Sequence, residues 1–345
     1  MRGARPGASV LGDAPRARPL GMEDTLPLGA YTTVTPLGVR LWDVLTEAPI
    51  GDGLVVRARP CDGPERTRTA FRTRSDVHAF RELPGLRATE FPPFRRDDEP
   101  ASDTPPPVSP PDDEPERSEV YALSVEDRAG RFNDTVLVLS APRRGVARTS
   151  HLLGACPPDS PPGSGGTGPS DDSPPDEDPP IYLFSAPTRS LPPAVAVLRA
   201  QLVTPEGAAV AHAVLEVDVD LGAGGVVRHA GVSDATGAVL VAFPYPTFPV
   251  TVAPSPPAGT AGRPPREQCW ELLVRVRHEP DALVFVAGFA VPTTTSVLGQ
   301  ATARIRADVA TTGHVLVGRT LCFGRETVLT TVGHPRSELL VDAPA

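Results

Sequence analysis

The chain has 345 residues, of which 44 are proline and 5% are aromatic, and its formal net charge is −9. All 33 of its positive charges are arginine. The length predicts about two domains, the proline content excludes a packed interior for the whole chain, and the acidic balance argues against a dedicated nucleic-acid binder, which needs a basic surface.

The first 30 residues are predicted to form a disordered arm. Residues 1–21 contain arginine but lack the apolar core of a secretory leader, and Met22 is an alternative start to Met1. No later run reaches the roughly 20 apolar residues that a membrane helix needs. We therefore expect a chain that is made in the cytoplasm and spans no membrane.

Two proline-rich tracts hold most of the negative charge. Residues 97–118 contain eight acids and one arginine, and residues 157–180 contain six acids and no base. Such segments have little apolar surface to bury, and proline disfavours a helix. Both are predicted to be solvated, disordered loops or linkers; specific recognition of an acidic tract is the alternative.

Between these tracts the apolar residues alternate or form short blocks bounded by Gly, Pro and Asp, which is typical of strands and turns. The fold class is predicted to be all-β, with tandem small β-sandwich modules joined by Pro-rich acidic loops. The strand-length segments are 38–44, 53–60, 67–74, 120–127, 134–141, 195–203, 213–221, 238–246, 270–280, 282–291, 301–310 and 314–323.

The same patterns divide the chain into seven segments. Residues 127–130 (Asp-Arg-Ala-Gly) are predicted to turn a hairpin between two sandwich modules. The segments are an N-terminal arm (1–30), a β-sandwich-like module (31–96), an acidic Pro-rich linker (97–118), a β-hairpin segment (119–153), an acidic Pro/Gly/Ser-rich loop (154–180), a second sandwich (181–290) and C-terminal strands (291–345).

The stretch GVSDATGAVLVAFPYP (residues 231–246) places Ser233 beside Asp234 and raises the question of a nucleophile. Asp234 can accept hydrogen bonds from amides two residues on, and Gly237 can adopt the positive φ of a tight turn. No Gly-x-Ser-x-Gly elbow surrounds Ser233. The pattern therefore predicts the turn of a β-hairpin.

The histidines and cysteines do not form a recognised site pattern. A zinc hydrolase needs a His-x-x-Glu pair and a distant histidine, whereas the histidines stand singly, at 78, 151, 212, 229, 278, 314 and 334. The spacing of the cysteines fits neither a zinc site nor a dense disulfide framework; they are Cys61, Cys156, Cys269 and Cys322. We predict no catalytic residue, no cofactor and no metal site, and hence no enzyme.

Three other features have functional alternatives. Asp218 and Asp220 could bind calcium, but they share one strand face without the order of an EF-hand, so a solvated face is favoured. The arginines at 66, 68, 72 and 74 predict the wet face of one strand, with docking of tract 97–118 as the alternative. The Thr-rich stretch from residue 291 is typical of strand edges, and such an edge could pair with a neighbouring subunit.

Residues 198–219 followed by 231–246 resemble the carboxypeptidase regulatory-like module, a transthyretin-like (prealbumin-like) sandwich. The resemblance covers about residues 195–251, with a looser echo at 37–86, and this chain has Ser233 and Val239 where the family usually has Thr and Phe. It implies the fold and almost nothing about function.

A second resemblance involves AFRTRSDVHAFRELPGLR (70–87), YALSVEDRAGRFNDTVLVLSAPRRG (121–145) and IYLFSAPTRSLPPAVAVLRAQLV (181–203). Together these segments look like an uncharacterised protein type encoded among contractile injection system (phage-tail-like) genes. The resemblance implies a structural or accessory role in a sheathed, spike-tipped particle.

These features favour a non-enzymatic structural or interaction protein of such a particle. Its expected partners are other protein subunits (sheath, tube, baseplate or spike components), with no nucleic acid, and its expected location is the cytoplasm or a particle released from the cell. The alternative is a β-sandwich ligand-binding or adhesin-like protein that recognises carbohydrate through loops at one end of the sandwich.

Overall fold

The computed structural model describes residues 35–62, 66–86, 118–143, 145–154, 179–221, 225–246 and 268–344. The protein is all-β in these residues, as the sequence predicts, with one short helix α1 (Thr294–Leu298). The strands are β1 (Leu37–Asp43), β2 (Ala48–Ile50), β3 (Leu54–Pro60), β4 (Arg68–Thr69), β5 (Phe71–Arg72), β6 (Val77–Phe80), β7 (Glu119–Asp127), β8 (Thr135–Ala141), β9 (Val146–Ala147), β10 (Ile181–Leu183), β11 (Val195–Val203), β12 (Val214–Asp220), β13 (Val226–Val232), β14 (Ala238–Pro244), β15 (Cys269–Arg277), β16 (Ala303–Ile305), β17 (Val317–Cys322), β18 (Thr327–Leu329) and β19 (Leu339–Pro344).

Two sheets share one hydrophobic cluster in what we call the N-terminal half (β1 to β10). One sheet has the order β10-β1-β6-β5, with β2 and β9 also paired to β1, and the other has the order β4-β3-β7-β8. Both contribute to the buried cluster, which includes Leu41, Phe80, Tyr121, Leu139 and Leu183. Strands far apart in sequence therefore complete this core together.

The predicted domain boundaries stay predictions, but the strand pairing links several of the predicted segments. β7 and β8 form the expected antiparallel hairpin, and β7 also pairs with β3. β10 runs parallel to β1, with Leu41 opposite Ile181. The hairpin segment and the beginning of segment 181–290 thus share a core with residues 37–80.

Two further sheets share a cluster in the C-terminal half (β11 to β19). One has the order β14-β11-β19-β16, with β18 also on β11, and the other has the order β13-β12-β15-β17. The alternation of β12 points Leu215, Val217 and Val219 into this cluster, where they are fully buried. The tandem transthyretin-like sandwich remains a prediction for both halves.

The apolar segment 282–291, predicted as a strand, forms no strand. It runs from a 3-10 turn (Pro280–Ala282) as an irregular strap along β8, and its Val286 is buried against Ala122, Val136 and Val138. The strap is apolar because it covers the face of β7 and β8 that points away from the N-terminal core, and short apolar runs do not distinguish this use from a strand.

The Thr-rich stretch after this strap was expected to form strand edges, and its β16 is an edge strand, but residues 294–298 are helical. Thr293 caps α1 by accepting a hydrogen bond from the Ser296 amide. Thr294 Oγ1 donates to the Val136 carbonyl over 3.1 Å, and Thr295 Oγ1 donates to the Leu153 carbonyl over 3.2 Å. The hydroxyls hold the segment against the N-terminal half.

The arginine-rich segment 66–74 was predicted to be one strand, but it forms two short strands in different sheets. The chain changes sheets at Ala70, because β4 pairs with β3 and β5 pairs with β6. Arg72 is paired with Asp52 and Asp76. Arg68 lies 2.9 Å from Glu82. The four arginines are exposed, as predicted, but they do not lie on the face of one strand, and the acidic tract 97–118 lies outside the described residues.

Candidate functional site

Ser233 is a structural serine. Its side chain is buried, and its hydroxyl donates to the Val210 carbonyl over 2.8 Å while it accepts from the Ala213 amide over 2.9 Å. Both bonds fix the loop before β12. A hydroxyl held in this way secures two backbone segments instead of facing a substrate.

Asp234 forms the predicted turn. Its Oδ1 accepts hydrogen bonds from the Thr236 amide over 2.8 Å and the Ala238 amide over 3.1 Å. Gly237 has a φ of 84°, and a Cβ there would lie 2.4 Å from the Leu202 carbonyl oxygen. The turn thus needs both the carboxylate and the glycine.

This turn does not close a β-hairpin, however, so that part of the prediction is wrong. β13 pairs with β12 and β14 pairs with β11, so the turn carries the chain from one sheet to the other. The two strands approach closely at Gly231, where a Cβ would lie 2.3 Å from the Leu240 carbonyl oxygen. Local sequence specifies a turn, but the sheet that each flanking strand joins depends on distant segments.

The acidic face of β12 was expected to be solvated, and Asp220 at the end of the strand is exposed, but the rest of the face is covered by arginines from both neighbouring strands. Glu216 and Asp218 are buried. Arg228 Nε on β13 lies 2.7 Å from Asp218 Oδ1, and Arg275 on β15 pairs with both carboxylates. Arg277 Nε donates to Glu216 over 2.8 Å. We call these two buried acids and three arginines the ion ladder.

The ion ladder favours the ionised form of Asp218. The hydrogen bond from Arg228, together with that from Arg275, outweighs burial and lowers the pKa of Asp218 below its usual value. Cross-strand pairs of opposite charge stabilise a sheet. A calcium ion would have to displace these arginines, so the geometry gives Asp218 a structural role.

The described residues bring no group of three or more potential metal ligands together. His78 and Glu82, which lie four residues apart, do not form a ligand pair. His78 is buried in the N-terminal half, and Glu82 forms an ion pair with Arg68. Glu279, directly after His278, accepts from the Ala301 amide over 3.1 Å. Burial lowers the pKa of both His78 and His278, which favours their neutral forms.

Two of the cysteines pair at the end of the β13-β12-β15-β17 sheet. Cys269 on β15 and Cys322 on β17 lie opposite each other in the strand register and form a disulfide. Cys61 is disulfide-bonded as well. The sequence could not reveal the Cys269–Cys322 pair, because the two residues are 53 positions apart and meet only through strand pairing.

A cavity of about 390 Å³ lies where the two halves meet. Residues 132–135 before β8 form one wall, and residues 232–235 after β13 form another. The strap and α1 supply Val291, Pro292 and Val297. Its volume lies within the range of small-molecule sites.

Hydrogen bonds between the walls fix the shape of this cavity. Asn133 Nδ2 donates to the Val232 carbonyl over 2.8 Å, which ties the two halves together. The Asn133 amide donates to the Phe184 carbonyl over 3.0 Å. Thr294, which also lines the cavity, is anchored to Val136. The cavity is therefore part of the folded arrangement and needs no further closure.

The polar residues that line the cavity include three aspartates and no arginine. Asp127 is held by Arg131, whose Nη2 lies 3.0 Å from Oδ1. Asp134 makes no hydrogen bond or ion pair with any described residue, and burial and the nearby Glu126 raise its pKa. Burial lowers the pKa of His212, so its ring is mainly neutral at pH 7. Sequence reasoning missed this site, because its walls come from five separate segments.

Comparison with known proteins gives no family for this chain. No family model and no curated protein matches. Among solved structures, the Bacillus anthracis TIE protein aligns at 8% identity and a TM-score of 0.20 over 84% of this chain, which spans only 44% of that protein. A putative adhesin from Bacteroides ovatus aligns at 11% identity and a TM-score of 0.15, covering 70% of this chain and 78% of the adhesin chain. Neither score indicates a shared fold.

Proposed function

We propose that this chain is a non-enzymatic structural or accessory interaction protein, and that it belongs to a phage-tail-like contractile injection particle. The non-enzymatic role is supported by one observation: the side chains that could take part in catalysis are already engaged in structural bonds. Ser233 and Asp234 hold a turn, and Glu216 and Asp218 hold the ion ladder. Side chains committed to such bonds serve a scaffold.

Support for the particle comes from the resemblance of residues 70–87, 121–145 and 181–203 to proteins encoded with contractile injection genes. The partners would be sheath, tube, baseplate or spike subunits. A disulfide such as Cys269–Cys322 persists in oxidising surroundings, which suits a particle released from the cell after assembly in the cytoplasm. No helix among the described residues is long and apolar enough to cross a membrane.

A pull-down of the tagged chain from its native host, with the eluate identified by mass spectrometry and viewed by electron microscopy, tests the assignment. Sheath, tube or spike proteins in the eluate are the expected result. Their absence, from cells shown to be making particles, would overturn the particle assignment.

Two surface variants would sharpen the result. Leu273 is exposed on the outer face of β15 beside the ion ladder, and Val332 is exposed in the loop before β19. Leu273→Arg and Val332→Arg each replace an exposed apolar side chain by a charged one, so the two surfaces are tested by the same kind of change. Selective loss of partner proteins with one variant identifies the contacting surface.

The second candidate is the adhesin-like ligand binder, favoured by the preformed cavity between the halves. A glycan array probed with the purified chain separates it from a scaffold. Specific, saturable carbohydrate binding would support the ligand binder, and a blank array would leave the scaffold as the better proposal.

A further inference from the structure

The cavity between the two halves has the composition of a binding site for an organic cation. Its walls are largely apolar, with Phe132, Phe184, Val232, Val291 and Val297 contributing side chains. None of the residues that line it is an arginine, although arginine is frequent in this chain. A site of this kind favours a ligand with an apolar body and a positive charge.

The three acids that line the cavity differ in how strongly they are already engaged. Asp127 is fully buried and held by Arg131, and Asp234 is held by the amides of its own turn. Asp134 is exposed at the cavity and has no partner among the described residues. Asp134 is thus the carboxylate that is available to a ligand.

The surroundings of Asp134 increase its attraction for a cation. Asp134 follows the β7–β8 turn region and lies across the hairpin from Glu126, because Val125 is opposite Thr135. Glu126 and partial burial both raise the pKa of Asp134. A bound cation would offset both effects, since it stabilises the ionised carboxylate.

The neutral polar groups also fit an ammonium ligand. The His212 ring lies edge-on to Phe285, with ring centroids 6.3 Å apart, and its lowered pKa leaves little positive charge to repel a cation. Arg131 and Arg189 lie over the Phe132 ring, at 5.2 and 4.8 Å from its centroid. Because these arginines are paired with Asp127 and Asp43, their repulsion of a bound cation is offset.

We propose that this cavity binds a small organic ammonium compound, with its apolar body between the two halves and its ammonium group on the Asp134 carboxylate. A volume of about 390 Å³ suits a ligand with one aromatic ring or a short alkyl chain. The proposal does not depend on the scaffold function, because the cavity could bind this ligand whether the chain is a scaffold or an adhesin-like ligand binder.

Titration calorimetry of the full chain with 2-phenylethylammonium tests this proposal. The neutral analogue 2-phenylethanol and the anion phenylacetate serve as matched ligands. We expect saturable binding of the ammonium compound and at least tenfold weaker binding of the other two, roughly the effect of losing one charge-assisted hydrogen bond. Absence of binding, or equal binding of all three, overturns the proposal.

Two variants locate the site. Asp134→Asn should weaken binding of 2-phenylethylammonium about tenfold, whereas Asp281→Asn, the same change at an exposed acid outside the cavity, should leave it unchanged. Ala290→Trp should fill the cavity rim and abolish binding. If Asp134→Asn and Asp281→Asn have equal effects, the ammonium does not bind at Asp134 and the proposal fails.

A lysine side chain of a partner protein carries the same ammonium group. Nα-acetyl-lysine methylamide, which keeps the ε-ammonium group free, is added in place of 2-phenylethylammonium to distinguish this source. Binding of the lysine compound alone would overturn the assignment to a free small amine, and preference for 2-phenylethylammonium would support it. Circular dichroism of each variant confirms that the sheets are intact.

Discussion

The two halves of the molecule use ion pairs differently. Both close over distant strand pairings, since β1 pairs with β10 and β11 pairs with β19, each across about 140 residues of sequence. In the N-terminal half, one buried ion pair fastens the chain just beyond the β1–β10 pairing. In the C-terminal half, the ion ladder joins β12, β13 and β15 on the outer face of one sheet. The comparison indicates that the first half concentrates ionic stabilisation in one buried pair, whereas the second distributes it over neighbouring strands.

The largest effect is expected from breaking the buried pair Asp43–Arg189. Arg189 Nη1 and Nη2 donate to the two oxygens of Asp43 over 2.8 and 2.6 Å, and the side chains are only 10% and 7% exposed. Arg189→Met leaves a buried carboxylate without its partner and should lower the free energy of unfolding by about 3–5 kcal/mol. Urea denaturation measures this loss.

The double variant Asp43→Asn with Arg189→Met controls for the charge. It should recover part of the loss, because no unpaired charge remains in the core. Equal stability of the single and double variants would show that the lost packing of the arginine, and not the orphaned carboxylate, dominates.

The next largest effect concerns the disulfide of the C-terminal half. Replacing both Cys269 and Cys322 by serine releases a loop of 53 residues and should cost about 2–4 kcal/mol of stability. Hydrogen exchange should show the loss in β15 and β17 first. Equal loss of protection in β1 and β10 would contradict an effect confined to the C-terminal half.

A smaller effect is expected from the ion ladder. Arg275 is 24% exposed and pairs with Asp218, so solvent screens it more than Arg189. Arg275→Met should cost about 1–2 kcal/mol. Glu271→Gln, an exposed position on the same strand, is the matched control and should change stability little.

Sequence patterns predicted the strands well where alternation was local. β11 was predicted with its observed bounds, and β1, β3, β7, β8, β12 and β14 lie within one or two residues of their predictions. The strap 282–291 and helix α1 were missed, because an apolar covering segment and a threonine-capped helical turn have the composition of strands. Tertiary contacts decided both cases.

The candidate site was harder to predict than the strands. Asp134, His212 and Val291 are far apart in sequence and meet only because the β7–β8 hairpin packs against the loops of the C-terminal half. The burial of Glu216 and Asp218 could not be predicted either, since the covering arginines lie on two other strands. Only the turn at Asp234 is encoded locally, in one carboxylate and one glycine.

The smallest effect is expected from mild acid. The loss of stability as the pH falls should differ between the halves, because they contain different numbers of buried histidines. Burial lowers the pKa of His78 in the N-terminal half and of three histidines in the C-terminal half, which are His212, His229 and His278. Their pKa values in the folded chain lie below the usual histidine value of about 6.5. The unfolded chain therefore binds more protons, and stability should fall as the pH drops from about 6.5 towards the folded pKa values.

The carboxylates act in a different pH window. Asp43 and Asp218 have pKa values lowered below 3.8 by their arginine partners, although burial opposes this, so their contributions persist until stronger acid is reached. Mild acid thus leaves the contributions of Asp43 and Asp218 in place while the buried histidines gain protons. Hydrogen exchange followed from about pH 7.5 to pH 5 should show the larger loss of protection in the C-terminal half, by at most about 1.4 kcal/mol per histidine and pH unit. His278→Gln should reduce that slope and the exposed His314→Gln should not; equal slopes in both halves would mean that burial of these rings does not control the acid response.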